Sequence, residues 1–453
     1  MKEALKGTAS TFIGCAVLLA LLIVGVGGNS LLLGAAAVIV ALGIAILVGI
    51  GPERMGIGLM VLGMFAAPMN ALGLAGNIDV SDIFFVLGVT LLVPRMLTRG
   101  RPKLPPLYVI GATILFAGGM ITSLLSLDIP ASLLGFVKII AATMILVYVL
   151  NVLKPQGKLL DTLAWAYVCG QGISVAYGLV RHGATHAQGR GVGLTTQPNF
   201  YGLGGQMAYA LLIFLFYRVQ PKNRWIVLGA MAVVGYSVID SGSRASLLCC
   251  ALITLLWPIV ERSAIAWYLI ISGGFGAFLG ANALLSALGQ TNILDRLSGN
   301  TSAAYSDQAR TDLLSQGWAL FLKHPIRGNG WSKDTLLAFH NAYLEVAVGG
   351  GVLTLVGFVL VIAALVRPLF QAGAPNRLAY AGISYAAFGL IGPTLYDRIV
   401  WAALALILVS YEDQPAHERP DPIAARRARA DARAHAHRNE LRGPVGTDGV
   451  SPA

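Results

Sequence analysis

One histidine and three arginines carry the side chains of this sequence that are best suited to proton transfer and anion binding. His340 stands directly before a long apolar run, where a helix N-terminus would disfavour imidazolium and leave a neutral ring able to accept a proton. Arg244, Arg310 and Arg190 carry planar guanidinium groups that can contact a phosphate through two parallel hydrogen bonds. Each also has a plainer interpretation, because such a histidine is more often structural and such an arginine more often solvated.

Three further residues could support these groups. Asn341 follows His340, and Gly351 ends a "VGGG" run eleven residues beyond it. On an unbroken helix, Gly351 would lie below His340 on the same face, roughly 16 Å deeper. Such a small-residue face could hold a lipid chain or, more commonly, a neighbouring helix. Lys138 lies near the outer end of an apolar run, where it could snorkel or meet a lipid phosphate.

Composition indicates that these residues belong to a membrane protein. Apolar and aromatic residue types make up 56% of the 453 residues and charged types only 12%, which excludes a soluble globular protein. The sequence predicts an all-α, polytopic transmembrane bundle of twelve to fourteen spans. The expected spans are 11–28, 31–50, 56–75, 81–97, 107–126, 133–153, 160–180, 201–217, 225–241, 245–260, 265–285, 341–366, 378–395 and 397–411.

Basic residues in the short loops give the bundle an orientation. With the N-terminus in the cytoplasm, the inner loops hold fifteen lysines and arginines and the short outer loops hold four, Arg181, Arg190, Arg244 and Arg398. Both termini are then cytoplasmic, and His340 lies on the outer side together with these arginines.

Two outer segments are longer than a simple turn, residues 181–199 and a loop at 286–339. Long ordered loops in compact proteins are usually functional. Residues 306–324 carry apolar side chains at helical spacing, which predicts an amphipathic helix on the outer membrane surface. The chain therefore divides into N-terminal transmembrane helices (1–180), a membrane region that holds the candidate site and this loop (181–411), and a tail (412–453).

The tail differs in composition from the rest. It carries seven arginines and no apolar periodicity, which predicts a disordered cytoplasmic segment in contact with anionic headgroups. Nucleic-acid binding is not expected, because no domain beside the tail could read bases.

Missing motifs narrow the chemistry further. The sequence has no P-loop, so ATP is not expected as an energy source. It has no Asp-x-Asp or His-x-x-His pattern on the outer side, and the outer acidic residues, Asp307 among them, are scattered along the chain. We therefore expect no metal and no cofactor. The lack of a buried carboxylate array also argues against an ion-driven transporter.

Four segments, in their order along the chain, resemble the O-antigen ligase and polymerase superfamily of bacterial membrane glycosyltransferases. They are "GRGVGLTTQPNFYG", "DSGSRASLL", "KHPIRGNGW" and "HNAYLEVAVGGGVLT". The last segment has the family spacing of His340, Asn341, nine residues and Gly351, with Thr354 after two more. The likeness covers residues 180–410.

The resemblance implies a GT-C-like enzyme of the bacterial inner membrane with an extracytoplasmic active face. Such proteins take a glycan from a polyprenyl diphosphate carrier, such as undecaprenyl diphosphate, and transfer it to a hydroxyl of a glycan or glycolipid acceptor, as in lipopolysaccharide. His340 would deprotonate the acceptor, Arg244 and Arg310 would bind the diphosphate, and Arg190 would assist. Arg327 departs from the family pattern, which usually has an apolar residue there.

Other functions stay open at this point. A polymerase of the same superfamily uses the same donor and differs in the acceptor, and the His-Asn pattern slightly favours a ligase. A transporter or flippase of lipid-linked sugars should show repeats with broken helices in matching halves, and no such repeat is evident. A structural membrane scaffold would not need arginine and histidine gathered on one face.

Overall fold

The fold is that of a helical membrane protein. The structure, a computed structural model, describes residues 49–75, 78–98, 104–153, 157–181, 189–274, 301–332, 339–370 and 377–409. Helices make up almost all the regular structure in these ranges, which belong to one compact unit, Met1–Tyr411. The predicted all-α class is confirmed for them. The predicted span 11–28, nearly all of 31–50 and the tail lie outside the described residues.

The helices and strands of the described ranges are numbered in chain order. The helices are α1 Pro52–Ala66, α2 Val80–Thr98, α3 Pro106–Leu124, α4 Ile129–Ile140, α5 Leu146–Leu153, α6 Lys158–Val180, α7 Pro198–Arg218, α8 Arg224–Asp240, α9 Arg244–Glu261, α10 Ala264–Gly274, α11 Thr301–Lys323, α12 Ala342–Val366, α13 Ala379–Phe388 and α14 Arg398–Val409. A π-helical stretch, Ala141–Ile145, joins α4 to α5. Strands β1 (Gly73–Ala75) and β2 (Ile78–Asp79) form an antiparallel hairpin before α2.

Seven segments among the described residues are long and apolar enough to cross a membrane. They are α2, α3, the continuous segment Ile129–Leu153, α6, α7, α9 and Ala342–Phe370. The chain is therefore a multi-pass membrane protein, as its composition predicts.

Two predicted spans are shorter than expected. The span 56–75 ends as a helix at Ala66, because Pro68 has no N–H with which to continue the helical hydrogen bonds, and the hairpin follows. The span 378–395 ends at Phe388, and the chain then turns through a Gly-Pro pair before α14.

Helix α7 lies at the centre of the bundle and α2 at its edge. Of the apolar stretch of each helix, 83% is buried in α7 and only 22% in α2. Helices α6, α8, α9, α13 and α14 all pack against α7. The beginning of α9, where Arg244 lies, is fixed to the core, because a Cβ on Gly202 of α7 would lie only 3.0 Å from Ser246 Oγ.

Small residues let α3 and α12 pack with their backbones almost in contact. A Cβ on Gly111 would lie 2.8 Å from the Gly357 carbonyl oxygen, and a Cβ on Gly357 would lie 2.5 Å from the Leu115 nitrogen. A Cβ on Gly118 would meet the Thr354 hydroxyl at 2.4 Å. The small-residue face of α12 is therefore used for close helix packing in this region.

Helix α12 is interrupted at Gly351. Its backbone has φ +75° and ψ −179°, a conformation that is essentially restricted to glycine. A Cβ there would lie 2.0 Å from the carbonyl oxygen of Ile326. The predicted unbroken helix from His340 to Gly351 is confirmed only for residues 342–350. His340 and Asn341 precede the helix, and at Gly351 the backbone of residues 325–330 occupies the place of the next helical turn.

Residues 325–330 pair with the broken part of α12. The Asn329 N–H donates to the Val348 carbonyl at 2.8 Å, the Gly330 N–H to the Gly349 carbonyl at 3.0 Å, and the Val352 N–H to the Pro325 carbonyl at 2.8 Å. These bonds satisfy backbone groups that the break would leave without partners in apolar surroundings. The turn at "HPIRGNG" therefore joins the end of α11 to the middle of α12.

The substitution Gly351→Ala tests this junction. We expect it to lower the free energy of unfolding by roughly 1–3 kcal/mol from backbone strain alone, with the contact to Ile326 adding to the loss. Thermal unfolding of the detergent-solubilised protein measures the effect. The matched control is Gly229→Ala on α8, where a Cβ meets nothing within 4 Å and better helix propensity should slightly stabilise the fold. Equal melting temperatures for the two variants would contradict the account.

Candidate functional site

His340 lies two residues before the first residue of α12. Asn341 caps the helix, because its side-chain oxygen accepts a hydrogen bond from the Leu344 N–H at 3.0 Å. The Ala342 N–H donates to the Gly389 carbonyl at 2.7 Å, so the turn after α13 also holds this end of α12. The start of the helix is thus fixed from two directions, and with it the position of His340.

The backbone of His340 adopts a left-handed conformation, with φ +56°. Residues with a side chain rarely adopt it, and such strain persists only where the surroundings impose it. Phe339 before it is fully buried. The carboxylate of Glu345, on the first turn of α12, accepts a hydrogen bond from the Phe339 backbone. The conformation of His340 is therefore imposed by buried neighbours on both sides.

Helix α11 crosses the start of α12 at a glycine. A Cβ on Gly317 would lie 2.8 Å from Leu344 Cδ2 and 2.9 Å from Phe339 Cδ1, so only a glycine allows the two helices this close. The helix corresponds to the predicted amphipathic helix at 306–324. Its apolar side chains Leu314, Trp318 and Leu322 are exposed. Their predicted contact with the membrane surface stays a prediction.

Arg244 begins α9 after a tight turn, as its position in "DSGSRASLL" predicts. Helix α8 ends at Asp240, and Gly242 takes a left-handed conformation with φ +58° in the turn. The Ser243 hydroxyl caps α9 by accepting a hydrogen bond from the Ser246 N–H. Arg244 therefore projects from the first turn of a well-fixed helix, with 22% of its side chain exposed.

Arg244 and Arg310 are brought together by Asp307, which lies one turn before Arg310 on α11. Asp307 Oδ1 forms an ion pair with Arg244 Nη2 and lies 3.9 Å from Arg310 Nη1. The two arginine side chains are 22% and 26% exposed, so both are largely withdrawn from solvent while Asp307 is half exposed. The structure thus gathers two of the three predicted arginines around one carboxylate oxygen.

The electrostatics tie this pair of arginines to His340. Burial lowers the pKa of His340 below its ordinary value of 6.5, and the positive charge of Arg310 lowers it further. Burial also lowers the pKa of Arg310, an effect that Asp307 opposes and Arg244 reinforces. At neutral pH the imidazole is therefore neutral and can accept a proton in the presence of the positive charge of Arg310.

Arg190 is linked to Arg244 through the turn that contains Ser241. Its Nε donates to the Ser241 carbonyl at 2.7 Å and its Nη2 to Asn199 Oδ1 at 2.8 Å. Ser241 belongs to the turn that precedes Arg244, so Arg190 holds the backbone that positions another arginine. Its expected direct contact with a diphosphate stays a prediction.

Lys138 belongs to a different group of charges. It lies within electrostatic range of Asp82. Arg398 pairs with the same Asp82 at 2.9 Å and also with Asp79. In the described part of the chain, Lys138 is therefore associated with the start of α2 and not with His340. Its supporting role therefore stays a prediction without a described link to the cluster.

Two acidic residues of the site were not predicted as site residues from the sequence. Asp307 counted as one of several scattered outer acids, although its spacing of three residues from Arg310 on a predicted helix is a recognisable signal. Glu345 stands out in the sequence as a charge inside an apolar run, but its contact with the Phe339 backbone depends on the fold. Within the described ranges, no group of three or more His, Cys, Asp or Glu residues is placed to hold a metal ion.

Comparison with known proteins adds no family assignment. No protein-family model matches the chain, and no curated protein matches it. The likeness to O-antigen ligases therefore rests on the four sequence segments alone.

Replacing Arg310 with an uncharged side chain of similar length tests the electrostatic link. Since a nearby positive charge disfavours imidazolium, Arg310→Met should raise the pKa of His340, which should still stay below 6.5 because burial is the larger cause. NMR titration of histidine-labelled protein measures it, with the His340 signal assigned by its loss in His340→Asn.

The matched control for this titration is Arg327→Met. Arg327 Nη2 lies 3.3 Å from His324 Nε2, so this variant should leave the His340 titration unchanged. An unchanged His340 pKa in Arg310→Met would show that the two groups do not interact.

Proposed function

We propose that this protein is a membrane glycosyltransferase that moves a glycan from a polyprenyl diphosphate carrier to an acceptor hydroxyl. The proposal rests on one observation: Arg244 and Arg310 lie around the same carboxylate oxygen of Asp307, and His340 is within electrostatic range of Arg310. A paired cation site beside a neutral base matches a reaction with an anionic leaving group and a hydroxyl nucleophile.

The proposed reaction is a substitution at the anomeric carbon of the donor glycan, accompanied by transfer of one proton to His340. The acceptor oxygen attacks the anomeric carbon of the donor glycan, and the bond from that carbon to the diphosphate oxygen breaks. His340 takes the proton of the acceptor hydroxyl, and the electron pair of the broken bond leaves with the polyprenyl diphosphate. The arginine pair stabilises the negative charge that develops on this leaving group. Each preorganised hydrogen-bond donor of this kind typically raises kcat by about 10²–10³.

The location in the proposal follows from the charge asymmetry of the loops. The active face would be extracytoplasmic, on the outer side of the bacterial inner membrane, with both termini cytoplasmic. A GT-C-like arrangement of the helices belongs to the same proposal. The acceptor would be a glycan or a glycolipid, as in an O-antigen ligase.

The test of the base is His340→Ala in the purified protein, supplied with a polyprenyl diphosphate-linked glycan and EDTA. We expect release of polyprenyl diphosphate to fall by at least about 100-fold, the usual contribution of a general base. The control is His324→Ala, a histidine at the end of α11 that contacts Arg327. Wild-type turnover in His340→Ala would refute the assignment. Supplying either a glycolipid or a second lipid-linked glycan as acceptor distinguishes a ligase from a polymerase.

Arg244→Lys tests how the diphosphate is held. Lysine keeps the positive charge and loses the planar fork, so we expect kcat/KM for the lipid donor to fall by roughly 10–100-fold if contact is bidentate. The same assay measures it, and Arg327→Lys serves as a control on an exposed arginine of the turn that follows α11. A change of less than about twofold would mean that Arg244 only snorkels.

A further inference from the structure

Asp307 occupies the place where the two arginines would receive an anion. Its Oδ1 is the atom that both guanidinium groups approach, with Arg244 in direct ion-pair contact and Arg310 Nη1 3.9 Å away. Half of the Asp307 side chain is exposed, so it can turn away into solvent. In the present structure the arginine pair therefore already holds one negative charge, and any ligand must compete with it.

The surroundings make this competition important. An arginine pair near a membrane surface attracts anionic lipid headgroups, and common phosphodiester lipids carry a single negative charge. A headgroup with a single negative charge that replaces Asp307 exchanges one charge for another of equal size, so the exchange adds little electrostatic binding free energy. A diphosphate carries more charge and offers oxygens to both guanidinium groups, so it gains from the exchange.

The position of Asp307 on its helix allows the exchange without moving the arginines. Asp307 and Arg310 lie three residues apart on α11, while Arg244 belongs to α9. Rotation of the short aspartate side chain opens the space between the guanidinium groups and leaves both helices in place. A diphosphate bound between Arg244 and Arg310 would then replace the ion pair and bridge the same two helices, α9 and α11.

We propose that Asp307 is a specificity-determining residue, which reserves the Arg244–Arg310 pair for a lipid diphosphate and excludes singly charged lipid phosphodiesters. This inference rests on the proposed function, because it takes polyprenyl diphosphate as the ligand. It assigns to Asp307 a function in selection and none in the chemical step.

The test measures binding of polyprenyl diphosphate to the full chain in lipid nanodiscs. One series uses phosphatidylcholine alone, and the other replaces an increasing fraction of it with phosphatidylglycerol. In wild-type protein we expect the Kd to change by less than about threefold across the second series. In Asp307→Asn we expect the Kd to rise by roughly tenfold with phosphatidylglycerol, the size of effect that removal of one competing charge can produce.

Two further variants separate selection from folding. Asp307→Glu keeps the charge and should retain the wild-type insensitivity to phosphatidylglycerol. Asp312→Asn removes another exposed acid of α11, which accepts a hydrogen bond from Gln308, and should behave like wild type. An Asp307→Asn protein that binds the diphosphate equally well in both series overturns the inference while the proposed function stands. A wild-type protein that does not bind polyprenyl diphosphate in phosphatidylcholine overturns both.

Discussion

Gly351 breaks α12 within an apolar segment, and the geometry of the candidate site depends on how that break is filled. A broken helix in a membrane protein leaves backbone groups that must find partners within the protein. The segment 325–330 provides them through hydrogen bonds on both sides of the break. The C-terminal end of α11 is thereby attached to the middle of α12. With Gly317 at the crossing, α11 then passes close to the residues on either side of His340.

Three helices consequently contribute to one charged cluster. Arg244 comes from the start of α9, Asp307 and Arg310 from α11, and His340 from the residues just before α12. The positive charge of Arg310 has two consequences: it favours a polyanionic ligand, and it adds to the effect of burial, which is the main reason that the imidazole of His340 is neutral. Binding and proton acceptance are therefore properties of a single arrangement, which is why we assign both to one reaction.

Much of this arrangement could be predicted from the sequence. Apolar length predicts the helices from α2 to α9, and the tight turn before Arg244 follows from the short gap between the predicted spans 225–241 and 245–260. The break at Gly351 could not be predicted, because the glycine run fits a packed helix equally well and its backbone conformation depends on the loop at 325–330. The association of Lys138 with Asp82 could not be predicted either, because the position of a residue along its span does not determine which neighbouring helix its side chain meets. The pairing of Asp307 with Arg244 joins two helices at residues that are 63 positions apart, and the sequence pattern does not show which distant helices meet.

The most direct test of the central claim is a cryo-EM structure of the protein in nanodiscs with bound polyprenyl diphosphate. Our account predicts density for the diphosphate between the guanidinium groups of Arg244 and Arg310, with the Asp307 side chain turned away and the imidazole of His340 facing the adjacent space. Diphosphate density at another place, such as beside Lys138, with the Arg244–Asp307 ion pair intact, would contradict it.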